Sequence, residues 1–326
     1  MLIPVRNEEA NIPSLFLNLK NLEYENLEII LLDDQSEDST HKLLLENSRG
    51  MEHVKIIQGK NLPEGWIGKN WSCHQLSEHA TGDYFLFINA DTRLEHKAIH
   101  YALNDARKND LALLSIFPDQ IMKSTGEKLV VPLMHYILLS LLPLKLVQSS
   151  RKVSLSAANG QFMLFPKKQY NQWHEKVKDK ITEDIEIMKK VKSYGLKGKV
   201  VLGNSFITCR MYRNLPESIE GFSKNILSGF GNNRLLLFVY TLFIFWGYVF
   251  VFQRVIPTIL SIFIIGLIRL FISKISNQSI IVNLSLHPLQ IIFKILISYK
   301  SIYYNITGKN MWKGRKTKLN FKALYF

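Results

Sequence analysis

Four short apolar runs that do not alternate restrict the fold of this chain more than any other feature. They are Leu27–Leu32, Val54–Ile57, Tyr84–Ile88 and Leu111–Phe117. A strand with one face in water alternates polar and apolar residues, whereas a near-continuous run belongs to a strand covered on both faces. Helix signals lie between the runs. Asn11 is placed to cap a segment that puts Ile12, Leu15, Phe16 and Leu19 on one side, and Asp38 or Ser39 to cap Lys42–Glu46. This alternation predicts an α/β domain, a mostly parallel sheet with helices on both faces.

From Leu235 onward the character changes. Leu235–Phe252 is 18 residues without a charge, close to the roughly 20 needed to cross a bilayer. Val255–Ile272 is similar but carries Arg269, and Ile275–Phe293 is broken by Asn283, His287 and Pro288. Each run alone could be a buried core helix; three in succession predict a membrane region. The earlier stretch Leu129–Val147, with Pro132, His135, Pro143 and Lys145, reads as an interfacial helix, with a core helix as its alternative. The chain carries 41 Lys and Arg against 27 Asp and Glu, a net +14. Such an excess points to a phosphorylated substrate or an anionic membrane surface. Nucleic acid is excluded as a partner, because the basic stretch Lys176–Lys199 has no recognition motif and no interleaved aromatics. Cys73 and Cys209 lie far apart without ligand spacing and read as thiols. The opening residues lack a basic region followed by a long apolar run, so no leader is expected there.

In an open α/β sheet, ligands gather beyond the carboxyl ends of the strands. Three places meet that condition: Pro4-Val-Arg6-Asn7-Glu8-Glu9, Asp33-Asp34-Gln35-Ser36 and Asn89-Ala90-Asp91. Carboxylates there can accept hydrogen bonds from a base and a ribose, or hold a divalent cation that bridges two phosphates. Helix capping explains each of these residues singly; their recurrence at successive strand ends favours a nucleotide site. Gly65 and Gly68 allow tight turns before Lys69, which can reach a diphosphate. Further on, Thr182-Glu183-Asp184 opens a helix, where the acids either cap it or supply a general base. His96 and His100 beside Glu95 read as a solvated helix face, not a metal site.

These residues, in this order, resemble family 2 glycosyltransferases, which have the GT-A (Rossmann-like) fold. The resemblance extends to a membrane subgroup associated with hopanoid and carotenoid pathways. Pro4–Glu9 matches P-x-R-N-E-E, and Asp33–Thr40 matches D-D-x-S-x-D-x-T. Gly65-Trp66-Ile67-Gly68-Lys69 matches G-W-x-G-K, Asn89–Asp91 stands at D-x-D, and Glu183-Asp184 at E-D. Arg210-Met211-Tyr212, Gly221–Asn225 and Trp312–Arg315 also look like the subgroup.

The resemblance implies an inverting transfer. Pro4, Arg6, Glu8, Asp33, Asp34, Lys69 and Asn89 would bind the nucleotide-sugar donor. Asp91 would hold a divalent cation, Mg²⁺ or Mn²⁺, and Asp184 with Glu183 would be catalytic. There are two departures. Position 89 is Asn where the family usually has Asp, which removes a charge from the metal site. With just three residues before Pro4, the first strand would be stunted, and a longer native chain is the matching expectation.

The expected organisation is a catalytic domain over 1–230, two or three membrane helices over 231–300 and a basic tail over 301–326. The expected placement is multi-pass in the cell membrane with the catalytic domain cytoplasmic, since Lys and Arg dominate both flanks. The expected activity is sugar transfer to a lipid or isoprenoid acceptor. A processive polysaccharide synthase and a catalytically silent nucleotide-sugar-binding subunit are the alternatives.

Overall fold

The structure, a computed structural model, describes residues 1–251, 255–308, 311–312 and 315–316. Phe252, at the end of the first apolar run, and most of the basic tail lie outside the described residues. The chain forms two compact units, residues 1–119 with 143–209, and residues 120–142 with 210–326.

The strands up to residue 209 are β1 (Leu2–Val5), β2 (Ile29–Asp33), β3 (Val54–Gln58), β4 (Tyr84–Ile88), β5 (Thr92–Leu94), β6 (Leu113–Phe117), β7 (Asp119–Gln120), β8 (Phe162–Pro166), β9 (Gly198–Leu202) and β10 (Ile207–Cys209). Seven of them make one sheet in the order β3-β2-β1-β4-β8-β6-β9. The four predicted apolar runs are β2, β3, β4 and β6, and β2 and β6 are buried along their whole length. Pairing is parallel except around β8, which runs against both β4 and β6. Neither β8 nor β9 was expected from the sequence.

The predicted helix Ile12–Lys20 buries Ile12, Leu15, Phe16 and Leu19 against the sheet. Each such side chain contributes about 1.5–3 kcal/mol when removed from water. The Asn11 side chain donates to Glu8 (2.6 Å) instead of capping the helix. The next helix, Thr40–Asn47, begins where Asp38 Oδ1 accepts from Thr40 N (3.0 Å).

Registry places the site. Val5 lies opposite Asp33, and Asp33 opposite Gln58, so β1, β2 and β3 end level with one another. The chain moves outward from β1 to β2 and β3, then returns to put β4 on the other side of β1. That reversal of strand order is where a crevice opens in sheets of this kind. The residues after β1, β2 and β4 therefore flank one opening.

The second unit is helical. Its helices are Thr125–Val130, Pro132–Leu141, Leu215–Gly229, Arg234–Val251, Val255–Ile275, Ile280–Ser285 and His287–Thr307. Among the described residues, one helix is long and apolar enough to cross a membrane: Val255–Ile275, with a mean hydropathy of 2.5. The run Ile275–Phe293 is not a single helix. It breaks over the polar residues 276–279, where Asn277 has a φ of 51°, and the next long helix starts just before Pro288. Helix His287–Thr307 buries a polar stripe of His287, Gln290, Lys294, Ser298, Ser301 and Asn305. The stretch Leu129–Val147 is likewise divided, with new helices starting at Pro132 and after Pro143.

Candidate active site

Two loops, after β1 and β2, hold each other in place. Arg6 is buried and donates through Nη1 to the carbonyls of Asp34 (2.7 Å) and Gln35 (2.6 Å), and through Nη2 to Glu37 (2.7 Å). Asn7 and Gln35 both take left-handed conformations, with φ of 49° and 55°. Such residues cost free energy and are held by their surroundings. Here Asn7 N donates to Ser36 Oγ (3.0 Å), and Glu37 N donates to Asn7 Oδ1 (2.9 Å). Arg6 is thus spent on the shape of the Asp33–Glu37 loop. Glu8 is engaged the same way, its carboxylate accepting from Asn11 and its amide donating to Thr40 Oγ1 (2.7 Å). Pro4 lies within β1 opposite Leu32.

Asp33 supports its own turn, accepting from Ser36 N (3.1 Å) and contacting His41 Nδ1 (2.9 Å). Asp34 follows it and is buried at the strand end, its amide donating to Val5 O (2.8 Å). Gly59 closes this end from the side of β3. Its amide donates to Asp33 O (2.8 Å), and a Cβ there would come within 2.9 Å of Leu32 Cδ2 and 3.1 Å of Asp33 O. A side chain there would have to displace Leu32 Cδ2 and crowd the Asp33 carbonyl, so glycine lets β3 finish close to the Asp33–Asp34 backbone.

Asn89, Ala90 and Asp91 form the turn between β4 and β5, with Thr92 N donating to Asn89 O (3.1 Å). Arg93 braces this turn by donating to the carbonyls of Ala90 and Thr92, both at 2.7 Å, and of Asn11 at 3.1 Å. Cys209, opposite Thr92 in the β5–β10 pair, accepts from Gln161 Nε2 (2.7 Å) and hydrogen-bonds the Asp91 carboxylate. Burial pushes the Cys209 thiol well up, and the adjacent Asp91 adds to this, so the thiol stays protonated and donates. Among the described residues, no group of three His, Cys, Asp or Glu side chains could hold a metal ion. One carboxylate beside an amide fits a cation such as Mg²⁺ or Mn²⁺ that brings its own waters and is held chiefly by a substrate's diphosphate.

The third cluster joins Lys69, Gly160, Glu183 and Asp184. Lys69 Nζ is 2.6 Å from Glu183 Oε1 and 3.4 Å from Gly160 O. Asp184 accepts from Gly160 N at Oδ2 (2.9 Å) and from Ile185 N at Oδ1 (2.8 Å). The Thr182 side chain makes no capping bond. Burial raises the Asp184 carboxyl first, and the Glu183 carboxylate beside it raises it further. Lys69 and the two backbone amides pull the other way, and the result is about 7. A carboxylate with that pKa is suited to accept a proton at neutral pH. Burial opposes the charge on Lys69, but Glu183 outweighs it and holds the ammonium above the ordinary lysine value.

Gly59, Gly160, Gln161 and Cys209 were not found by sequence reasoning. None carries a local signal, since each matters through a residue distant in the chain.

An open, mostly parallel sheet with acidic loops at the reversal of strand order defines a nucleotide-binding domain of the GT-A type. The family model for glycosyl transferase family 2 matches residues 1–173, and the chain belongs to that family. A mannosyltransferase from Pyrobaculum calidifontis, in complex with GDP-Man and Mn²⁺, shares the fold with a TM-score of 0.53 at 14% identity, over 71% of this chain and 62% of that one. The 4,4'-diaponeurosporenoate glycosyltransferase of Staphylococcus haemolyticus is 27% identical over 236 residues, 70% of this chain and 61% of that protein. The beta-monoglucosyldiacylglycerol synthase of Nostoc sp. is 31% identical over 96 residues, 29% of this chain and 20% of that protein. The poly-beta-1,6-N-acetyl-D-glucosamine synthase of Staphylococcus aureus is 25% identical over 229 residues, 68% of this chain and 51% of that protein. The chain therefore spans less than two thirds of the length of each of these three relatives.

Proposed function

We propose that this protein is an inverting glycosyltransferase that moves a sugar from a nucleotide donor to the hydroxyl of a lipid-like acceptor at a membrane. The observation that carries the reading is the placement of Asp184, a buried carboxylate held by Gly160 N (2.9 Å) and Ile185 N (2.8 Å) beside the Lys69–Glu183 pair, with its carboxyl raised by burial and by Glu183. The Asp33–Asp34 loop receives the base and ribose, and Asn89 and Asp91 face the diphosphate. A divalent cation bound there supplies positive charge to the leaving diphosphate. Asp184 takes the proton as the acceptor O–H bond breaks. The acceptor oxygen bonds to the anomeric carbon, and the bond from that carbon to the diphosphate oxygen breaks with its electron pair leaving on the diphosphate. One displacement inverts the anomeric centre.

Two observations support a membrane-dissolved acceptor. Helix Val255–Ile275 exposes Val255, Ile256, Ile259 and Phe263 to its surroundings, and apolar surface of that extent requires a covering. The relatives from S. haemolyticus and Nostoc carry a carotenoid acid and a diacylglycerol in their names. We assign the catalytic unit and the tail to the cytoplasm, with helix Arg234–Val251 crossing back-to-back with Val255–Ile275 so that both ends return to one side, and with the +14 charge drawn to anionic lipid. The S. aureus synthase supports a second reading, polymer synthesis at the same site.

The test is nucleoside diphosphate release by the full chain in membranes supplied with a panel of nucleotide sugars. Release with one donor, lost in Asp184→Asn, is the expected result. A chain that binds a donor and releases nothing is a silent binding subunit.

A further inference from the structure

We propose that Lys69 is a positioning residue for the acid–base step rather than a ligand of the donor diphosphate. Its ammonium locks Glu183 over Gly160 and supplies the positive charge that lets two adjacent carboxylates be ionised together. This rests on the reading of Asp184 as the base.

Lys69 Nζ lies 2.6 Å from Glu183 Oε1, with side chains 20% and 7% exposed. The pair lies flat on a glycine: a Cβ at Gly160 would stand 2.6 Å from Lys69 Nζ and 2.8 Å from Glu183 Oε1. The same glycine donates its amide to Asp184, so one backbone unit carries the cation, its partner and the base.

The backbone sets that spacing. Lys69 is the second residue of helix Gly68–His79. The start of this helix is tied to the segment leading into Glu183 and Asp184. Ile67 N donates to Lys178 O (2.8 Å), and the buried Asn70 side chain donates to the carbonyls of Val177 (2.8 Å), Lys178 (3.2 Å) and Lys180 (3.0 Å). Gly65, with a φ of 81°, makes the turn that brings this loop round. The G-W-x-G-K run thus docks one element on another and delivers Lys69 to Glu183.

Two neighbouring carboxylates away from bulk water resist joint ionisation. Two titratable groups beside Lys69, Cys73 and His174, are neutral. Burial pushes the Cys73 thiol up to about 12. Burial, with Lys69 and His74 adding to it, pushes His174 down to about 3, and His174 Nδ1 is hydrogen-bonded to Tyr170 (2.6 Å). Lys69 is the positive charge that acts on Asp184. Removing it raises the Asp184 carboxyl and moves the onset of catalysis to higher pH.

The experiment compares wild type, Lys69→Met and Lys69→Met/Glu183→Gln as full chains in membranes. It reads kcat against pH at saturating donor, and donor KM at the optimum. Lys69→Met is expected to lower kcat about 100-fold, the scale of a 1 Å misplacement. The acid limb should move up by at least about one pH unit, with donor KM within about threefold. The double variant, which removes one charge of each sign, should return the limb toward its wild-type position. A donor KM raised tenfold or more with an unmoved acid limb would overturn the proposal and make Lys69 a donor ligand. So would wild-type behaviour of Lys69→Met, or a double variant whose limb stays displaced. Turnover retained in Asp184→Asn would instead refute the assignment of the base, independently of Lys69.

Discussion

A methyl group at Gly160 would sit 2.6 Å from Lys69 Nζ, 2.8 Å from Glu183 Oε1 and 3.7 Å from Asp184 Oδ2. Gly160 does not have a positive φ, so alanine can adopt the backbone without strain and the whole effect is steric. Ordinary contact for a carbon is about 3.5 Å, so the two tips must each retreat by somewhat less than about 1 Å. Both are ends of flexible side chains, which puts the stability cost of Gly160→Ala near the low end of overpacking, about 1 kcal/mol. In a chain of this size that shifts Tm by about 2–4 °C. The chemistry should suffer far more. Displacement of the Lys69–Glu183 pair next to the base by most of an ångström costs about 100-fold in rate, or about 2.7 kcal/mol of transition-state stabilisation. Thermal unfolding of the purified chain and nucleotide release in membranes measure the two effects separately. Turnover within threefold of wild type would refute the claim that this pair is positioned for catalysis. Loss of the folded state would show that Gly160 serves the fold.

Asp91→Ala should lower turnover by about 100-fold or more with the fold intact, because a lost diphosphate–cation link costs several kcal/mol in the transition state; near-normal turnover would move the metal elsewhere. Asn89→Asp adds a charge beside Asp91 and should lower the Mn²⁺ concentration needed for half-maximal activity, and weaker Mn²⁺ dependence would count against that pairing. The Asp184 carboxyl is raised from 3.8 to about 7, so the fold favours its protonated form. That contribution to stability is fully present below about 3.8 and is lost as the pH rises through about 7. Asp184→Asn should therefore raise Tm more at pH 8 than at pH 4, and equal shifts at both would contradict the assignment. A reporter fused after Phe326 should read as cytoplasmic, and an external signal would overturn the charge argument for the tail.

The sheet was legible where burial on both faces removes alternation. Tyr84–Ile88 announces β4 almost residue for residue; Val54–Ile57 also marks a strand, β3, but at the sheet edge, where Lys55 is exposed and Val54, Ile56 and Ile57 are half-buried instead of covered on both faces. β8 was not legible as an antiparallel strand, because Phe162–Pro166 is as uniformly apolar as its parallel neighbours. In the candidate site, the acidic loops after β2 and β4 could be read as strand-end carboxylates. Arg6 could not be read as their brace, since its partners at 34, 35 and 37 are met only when β1 pairs with β2. The ion pair between Lys69 and Glu183 depends on docking through Asn70 and on the bare face of Gly160. Neither leaves a trace in local pattern. The second and third apolar runs show the same limit: composition marks them, but Asn277 and Pro288 decide where the helices end.

Sugar transfer to a lipid-like acceptor can be followed through the fate of a labelled sugar. The full chain in membranes is supplied with a radiolabelled nucleotide sugar that it turns over, and the products are partitioned between organic solvent and water. Label is expected in the organic phase, on a product carrying one sugar, with none from Asp184→Asn. Label in a water-soluble polymer, with none in the organic phase, would refute lipid glycosylation and identify a polysaccharide synthase.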